Sequence, residues 1–299
     1  MTAATDSAAP ATGGAAEGLR ITTPLRPRVV RARTPYALSI ALGLASMAAA
    51  GLTVADPSLL TGVAVSNGNM LGTAVVVLVV GVPVLAAAII GAARGSARAA
   101  VIWLGTLGYL LYQAVLFCFA TPLNNLFLLY VAYLGLGVWT IVAMVRGVDL
   151  AAFHQRLSAE VPIRRIAGYA LVVAGLNALA WLTRILPATF SDHPRAMLTD
   201  SGLLTNPVYI QDLAIWLPVL ATAAVAAWRH RTWGELTTGA MLALFVLESI
   251  SIAVDQWFGS HADPTSSVSS LVMVPIFAVV AVATAVPVVL FLRNIDRAA

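Results

Sequence analysis

Long apolar stretches alternate with short polar connections along most of the chain. A helix needs about 20 mostly apolar residues to cross the hydrocarbon core of a bilayer. Eight stretches meet this criterion, and the second and eighth are apolar around the whole helix. The predicted spans cover residues 35–55, 70–93, 97–119, 124–145, 166–187, 208–228, 235–255 and 269–292. We therefore predict an all-α integral membrane protein, a bundle of eight transmembrane helices.

The composition agrees with this fold class. Hydrophobic residues make up 60% of the chain and charged residues only 10%, against roughly 45–50% and about 25% in soluble domains. The chain has one cysteine, Cys118, and no lysine. These counts exclude a disulfide framework, a cysteine metal cluster and any Schiff-base or phosphate-loop lysine. No catalytic motif is present, and we predict neither a metal nor a cofactor.

The arginines are distributed unevenly between the two sides of the predicted bundle. All but Arg184 and Arg195 of the 17 basic residues lie in the termini or around the connections that follow the second, fourth and sixth spans. Basic residues accumulate on the cytoplasmic side of membrane proteins. We therefore predict a multi-pass protein of a bacterial plasma membrane with both termini in the cytoplasm.

Two terminal tails flank the eight-span domain, residues 35–292. Residues 1–34 are rich in Ala, Thr, Gly and Pro and then become basic, which predicts a disordered cytoplasmic tail. Next to a bilayer such a tail is expected to bind anionic lipid rather than nucleic acid. Residues 293–299 form a second, short cytoplasmic tail. The small residues at 45–51 leave open whether the first span is cleaved or retained.

One cytoplasmic connection is longer than the others and has its own pattern. Its segment DLAAFHQRLSAE, residues 149–160, begins with an acid suited to an N-cap and repeats Leu150, Phe153 and Leu157 at helical spacing. The pattern predicts a short amphipathic helix on the inner membrane surface. A docking element is the alternative interpretation.

The sixth predicted span carries an acid near its start, in TNPVYIQDLAIWLP. Asn206 suits an N-cap and Pro207 a first helical residue, so the helix is expected to begin there, at the outer face. At about 1.5 Å per residue, Asp212 then lies roughly 7–8 Å along the helix. Taken alone, it is either an interfacial acid, favoured by the helix dipole, or part of a site.

The seventh predicted span carries acids much deeper. In LFVLESISIAVD, the side chains of Glu248, Ser251 and Asp255 recur at spacings of three and four, which places them on one helix face. Glu248 lies about 10 Å inward of Asp255. A carboxylate at that depth costs a few kcal/mol unless it is neutral, paired or hydrated, which makes Glu248 the most informative residue of the chain.

Further polar side chains fall in the outer halves of the third, fourth and fifth spans, whereas the inner halves are almost purely apolar. The remaining candidates for a polar site are Tyr109, Tyr112, Gln113, Asn124, Asn125, Asn177 and Arg184.

Two interpretations of this asymmetry compete. In the first, the polar side chains line a cavity that opens outward, with Asp212 and Glu248 as contacts for a proton, an ion or another cation, and Arg184 as a counter-ion or anion anchor. In the second, Arg184 pairs with an acid and the other groups tie helices together, at roughly 0.6–2 kcal/mol for each contact.

Three functions follow from these interpretations. The first is a solute-handling protein, transporter-like or ligand-sensing, with a small solute or ion as its partner besides the lipid bilayer. The second is a non-catalytic structural or assembly subunit. The third is a membrane enzyme that acts on a lipid-linked substrate, which requires paired acids and a basic phosphate clamp.

Prolines within the spans and the even number of spans are features found in transporters built from two related halves. Pro83 and Pro218 lie near the middle of their spans, and Pro275 and Pro287 lie in the eighth. Such prolines can form hinges but are also common in membrane helices without that role. Spans one to four and five to eight divide the chain evenly, yet no residue pattern recurs convincingly between them.

The runs GYLLYQAVLFCFATPLNNLFLLYVAYLGL, TNPVYIQDLAIWLPVL and WRHRTWGELTTGAMLAL together resemble a group of bacterial polytopic membrane proteins to which no activity is assigned. The resemblance covers roughly the third to the seventh span. The pattern associated with that group corresponds here to Asn124 or Asn125, Asp212 and Pro218. The resemblance implies positions of interest and no function.

Overall fold

A computed structural model of the chain describes residues 28–296. Within that range it contains eight helices that are long and apolar enough to cross a membrane, one for each predicted span. We call them spans 1 to 8. They are Arg33–Ala55, Ala64–Ala93, Ala97–Phe119, Phe127–Gly147, Ile163–Thr189, Pro207–Trp228, Thr232–Ala262 and Met273–Arg293. The chain is a multi-pass α-helical membrane protein, as the hydropathy pattern predicts.

Some helix ends differ from the predicted ends. Span 2 begins at Ala64 rather than at residue 70, because the Asn67 side chain binds both the N–H and the carbonyl oxygen of Gly62 and closes the turn before the helix. Span 7 continues to Ala262 rather than to residue 255. Its 31 residues make a helix of about 46 Å, which exceeds the roughly 30 Å apolar core of a bilayer.

Spans 3 and 7 form the centre of the bundle. The side chains of Trp103 and Leu107 in span 3 and of Leu242 in span 7 are fully buried. The two helices approach closely at Gly105, where a Cβ atom would meet the carbonyl oxygen of Ala240 and lie 2.9 Å from the Cβ of Ala243. Small residues permit such close crossings of membrane helices.

The connections gather on two opposite faces of the bundle. On the face with most of the arginines, which we call the basic face, Val30 pairs with Val148 and Leu157 pairs with Ile295 through isolated backbone bridges. On the opposite face, the Ser66 hydroxyl donates to the carbonyl oxygen of Ser201. Spans 3 and 7 both begin at the basic face and therefore run in the same direction.

Part of the predicted disordered tail is packed against the bundle. Val29 and Val30 are buried, and the carbonyl oxygen of Val29 accepts a hydrogen bond of 2.8 Å from the N–H of Asp149. Residues 28–34 therefore differ from the prediction. The rest of that tail, and the last three residues of the C-terminal tail, lie outside the described residues, as does most of the predicted lipid-binding segment.

The predicted amphipathic helix at residues 149–160 is shorter than expected and is partly packed into the protein, although Leu150 is exposed. It is a single short helix, Leu150–His154, whose N-cap is Asp149 as predicted. Phe153 on this helix is fully buried, and His154 lies 3.4 Å from the Thr232 hydroxyl at the start of span 7. Phe153, which was expected to enter the membrane surface, instead packs into the protein.

A charged cluster joins three connections on the basic face. Nη1 of Arg156 donates to the carbonyl oxygen of Gly95 at 2.6 Å and lies 3.0 Å from Oδ1 of Asp296. Oδ2 of Asp296 accepts a hydrogen bond of 2.9 Å from the N–H of Ala97, at the beginning of span 3. One buried arginine thus connects the loop before span 3, the loop after span 4 and the C-terminal segment.

We expect Arg156→Ala to lower the free energy of unfolding by about 2–3 kcal/mol, because the change leaves the Asp296 carboxylate and the Gly95 carbonyl without this donor. Arg164→Ala is the matched control, since the side chain of Arg164 is exposed. The measurement is thermal unfolding of the purified full chain in detergent. Equal stability of the two variants would contradict this role of Arg156.

The two halves of the chain share a backbone feature that the sequence pattern did not reveal. In span 2 the N–H of Val82 bonds to the carbonyl oxygen of Val77, and in span 6 the N–H of Leu217 bonds to that of Asp212. Both are wide π-helical turns of five residues. In each span a proline follows directly after the donor residue, Pro83 in one case and Pro218 in the other.

These features have a common sequence offset. A separation of 135 residues relates the corresponding positions of the two halves. It separates Val77 from Asp212, Pro83 from Pro218, and the first residue of span 3 from that of span 7. The hydrogen-bonded residues Gln113 and Glu248 have the same separation. Gly105 and Ala240, which meet at the helix crossing, have the same separation. Since spans 3 and 7 run in the same direction, the central helices are related by an approximate two-fold axis along their length, as in parallel repeats.

Candidate functional site

Glu248 lies at the centre of the bundle and is bound by an amide. Nε2 of Gln113 in span 3 donates to Oε2 of Glu248 in span 7 at 2.6 Å. The two side chains are 0% and 6% exposed, respectively. Within the described part of the chain, Oε1 of Gln113 has no hydrogen-bond partner. The pair is therefore buried, with one acceptor left open.

Asp212 begins the wide turn of span 6 and has a similar environment. Its Oδ2 accepts a hydrogen bond of 2.7 Å from Nε1 of Trp181 in span 5. The side chain is only 4% exposed, and Oδ1 has no hydrogen-bond partner among the described residues. The Tyr112 hydroxyl lies beside this carboxylate and interacts with it. Asp212 is thus a buried acid with one free oxygen and not an interfacial one.

The Gln211 side chain links span 6, next to Asp212, to span 3, next to Gln113. Oε1 of Gln211 accepts from Nε1 of Trp216 at 3.0 Å, and Nε2 of Gln211 donates to the carbonyl oxygen of Tyr112 at 3.5 Å. Tyr112 directly precedes Gln113, the partner of Glu248.

The third acid extends the polar region toward span 2. The Thr73 hydroxyl lies 3.1 Å and 3.2 Å from the two carboxylate oxygens of Asp255. Between this acid and Glu248, the Tyr109 hydroxyl donates to Oγ of Ser251 at 3.5 Å. We call Asp212, Glu248 and Asp255, together with these uncharged partners, the acid layer.

The acid layer contains no basic side chain among the described residues. The three ion pairs of the described chain are Arg31–Asp149, Arg156–Asp296 and His230–Glu235, all at the basic face. Arg184 was expected to be a counter-ion, but its side chain is exposed and forms no ion pair within residues 28–296. The structure does not bring it to the acids.

Three other candidates also lie apart from the acid layer. Asn124 and Asn125 precede span 4 rather than belonging to it, because the Asn124 side chain accepts from the N–H of Leu126 and donates to the carbonyl oxygen of Leu59. It ties two connections together. Asn125 is exposed. Asn177 is partly buried and has no hydrogen bond from its side chain in the described part of the chain.

The predicted outward opening is not formed around the acids in this conformation. An open groove of about 620 Å³ lies in the half of the bundle away from the basic face, between spans 5 and 6 and the connection that joins them. Its lining includes Arg195, Leu198, Tyr209 and Leu213 but neither Asp212 nor Glu248. We call it the side groove. Tyr209 separates it from Trp181, whose ring centroid is 4.8 Å away.

Sequence reasoning missed several partners of the acids. Thr73 is a single hydroxyl in an apolar helix, and Gln211 directly precedes Asp212. Trp181 shares the helical spacing of Asn177 and Arg184 but was not chosen as a site residue. A polar or indole side chain within a predicted span is the signal that was available for each of them, since such groups need a partner when buried.

No protein-family model matches the chain, and no match is found among curated proteins or solved structures. The function must therefore be inferred from the chemistry of the acid layer. That chemistry consists of three carboxylates, uncharged hydrogen-bond donors and two buried acceptor oxygens that remain open.

Proposed function

We propose that this chain is a solute-handling, transporter-like protein of a bacterial plasma membrane, with the basic face in the cytoplasm. In this proposal the acid layer binds a proton or a small cation, and the binding of that proton or cation is coupled to the binding of a solute. The observation that carries the proposal is a layer of three carboxylates, inside an apolar bundle, without any basic partner in the described chain.

The energetics favour a cationic occupant. A carboxylate in the membrane interior is costly unless it is neutralised, paired or hydrated, and Glu248 is 6% exposed. Gln113 and Trp181 provide only one hydrogen bond to each of two acids. The open oxygens of Asp212 and Gln113 are both acceptors. A bound proton or cation provides the positive charge or the donor that such oxygens require.

A purely structural role accounts less well for these groups. Buried polar networks that hold helices together are stable when every member is satisfied, and a partly satisfied network is destabilising. Arg184, which would be the natural structural partner of an acid, is exposed. An enzyme acting on a lipid-linked phosphate requires a basic clamp beside its acids, and the acid layer has none among the described residues.

Movement of spans 2 and 6 is the natural way to open the layer. π-helical turns and prolines both weaken the regular hydrogen bonding of a helix and mark positions where membrane helices bend. Both features occur at equivalent positions, next to Thr73 in span 2 and at Asp212 in span 6. Bending at these turns changes the exposure of Asp212 and Asp255 without disturbing the central helices.

We expect single cysteines at positions 212 and 248 to react with a membrane-impermeant thiol reagent added to intact cells. The variants Asp212→Cys and Glu248→Cys are made in a Cys118→Ser background. Their reaction should be slow but should reach completion, because opening of the layer precedes labelling. The measurement is the time course of labelling, followed by size-exclusion chromatography to verify that each variant is folded.

Two further variants calibrate the rates. Leu204→Cys, on the opposite face and 83% exposed, should react rapidly. Thr238→Cys, buried in span 7 near the basic face, should not react. If positions 212 and 248 remain as inert as position 238, the acids are closed structural groups and the proposed function is wrong.

A further inference from the structure

Two aromatic side chains lie beside the Asp212 carboxylate, and each of them packs against a further ring. Trp181 binds the other carboxylate oxygen through its indole N–H, and Tyr209 packs against the Trp181 ring with centroids 4.8 Å apart. Tyr112 lies close to the carboxylate, and its ring centroid is 6.1 Å from that of Trp216. Asp212 is therefore a buried acid with two pairs of aromatic rings beside it, Trp181–Tyr209 and Tyr112–Trp216, and we call this arrangement the aromatic box.

The composition of this box selects one chemical class of ligand. A carboxylate provides the full negative charge and aromatic faces attract cations through their quadrupoles, which is how proteins recognise alkylated ammonium groups. A hard metal ion requires several oxygen ligands around one point, whereas Asp212 has aromatic neighbours. An anion requires basic groups or several donors, and the donors beside Asp212 among the described residues are the Trp181 indole and the Tyr112 hydroxyl.

The side groove provides a route from the membrane to this box. Its walls are mainly apolar, with Leu198 and Leu213 among them, and Tyr209 forms the part nearest to Trp181. Leu213 directly follows Asp212. The volume of about 620 Å³ lies in the usual range for sites that hold drug-sized molecules. A molecule in the groove is thus one aromatic layer from the carboxylate.

From these contacts we infer that the solute handled by this protein is a hydrophobic organic cation. It enters the side groove from the half of the membrane opposite the basic face, displaces Tyr209 from Trp181 and places its positive group against the free Oδ1 of Asp212. The inference rests on the proposed function, because it assigns the solute to the same acid layer.

Arg195 lies at the rim of the groove and is exposed. Its positive charge repels a cation in the groove, weakly because water and salt screen it. The acids Asp192 and Asp200 lie on the same connection and are also exposed. Arg195→Gln removes this positive charge and should leave the affinity for a cation unchanged or raise it up to about threefold. An effect of that size is typical of the interaction between exposed charges.

The probe for this site is tetraphenylphosphonium, and tetraphenylborate is the matched anion of nearly the same shape. We expect the purified full chain in detergent to bind the cation and not the anion in isothermal titration calorimetry. Asp212→Asn should weaken binding of the cation at least tenfold. Asp192→Asn, which removes an exposed acid outside the acid layer, is the control for a general effect of charge and should change the affinity less than threefold.

A second pair of variants tests the aromatic layer. Tyr209→Phe retains the ring and should bind the cation like the native chain, whereas Tyr209→Leu removes the ring and should weaken binding several-fold. Equal binding of both probes, or an unchanged affinity in Asp212→Asn, would overturn the inference. The thiol labelling described above involves no organic cation. Positive labelling with no binding of the phosphonium would therefore reject the solute class and leave the proposed function in place.

Discussion

Replacing Gly105 by leucine should prevent the bundle from folding. At this position spans 3 and 7 cross so closely that a Cβ atom already meets the carbonyl oxygen of Ala240, part of a helix backbone that cannot move aside. Overpacking of a buried site usually costs about 1–3 kcal/mol, and a leucine against the backbone of span 7 should exceed that range. Because spans 3 and 7 carry Gln113 and Glu248, their separation also disrupts the acid layer.

Gly135→Leu is the matched control, since a Cβ at position 135 would have no neighbour within 4 Å. We expect that variant to give monodisperse protein in size-exclusion chromatography at the level of the native chain, and Gly105→Leu to give aggregate or none. Gly105→Ala should be intermediate. A folded, monodisperse Gly105→Leu protein would show that the close crossing of spans 3 and 7 is not required.

Glu248→Gln should leave the fold intact and abolish stabilisation of the protein by small cations. The amide has nearly the same shape as the carboxyl group, and its N–H group can donate to the open Oε1 of Gln113. The substitution removes a buried charge and satisfies a buried acceptor, so the variant should unfold at the same temperature as the native chain or at a higher one. Without the carboxylate, the layer has lost its most deeply placed cation ligand.

The measurement is thermal unfolding of the purified chain at increasing sodium concentration and constant ionic strength. A ligand that binds only the folded state at a concentration of 100 times its dissociation constant stabilises that state by about 2.7 kcal/mol. We expect an effect of this order in the native chain and in the surface variant Asp192→Asn, and none in Glu248→Gln. A variant that retains the full effect would exclude Glu248 as the site of binding.

The approximate two-fold axis makes Glu248 and Gln113 equivalent positions with different charges. The same holds for Asp212 and Val77, which begin the wide turns of spans 6 and 2. The wide turns and the crossing of the central helices are common to the two halves, but the acids at these positions belong to the second half alone. This asymmetric distribution of charge agrees with the single site proposed above.

The fold could be predicted from the sequence because the bilayer imposes a simple requirement on it. Every backbone polar group must be satisfied within the membrane, so an apolar stretch of sufficient length is a helix, and all eight predicted spans are found. Helical spacing also determined that Glu248, Ser251 and Asp255 share one face. The depth of each acid follows from its distance along the helix in the same way.

Which partner each acid has was decided only by the tertiary structure. Hydropathy gives the length of a helix but not its rotation about its own axis, which depends on how neighbouring helices pack. The close crossing at Gly105 sets that rotation for spans 3 and 7 and so pairs Glu248 with Gln113. The rotation of span 5 directs Trp181 to Asp212 and leaves Arg184 on the exposed side. The sequence could not distinguish these positions, because Trp181, Arg184 and Asp212 all lie in the outer halves of their predicted spans.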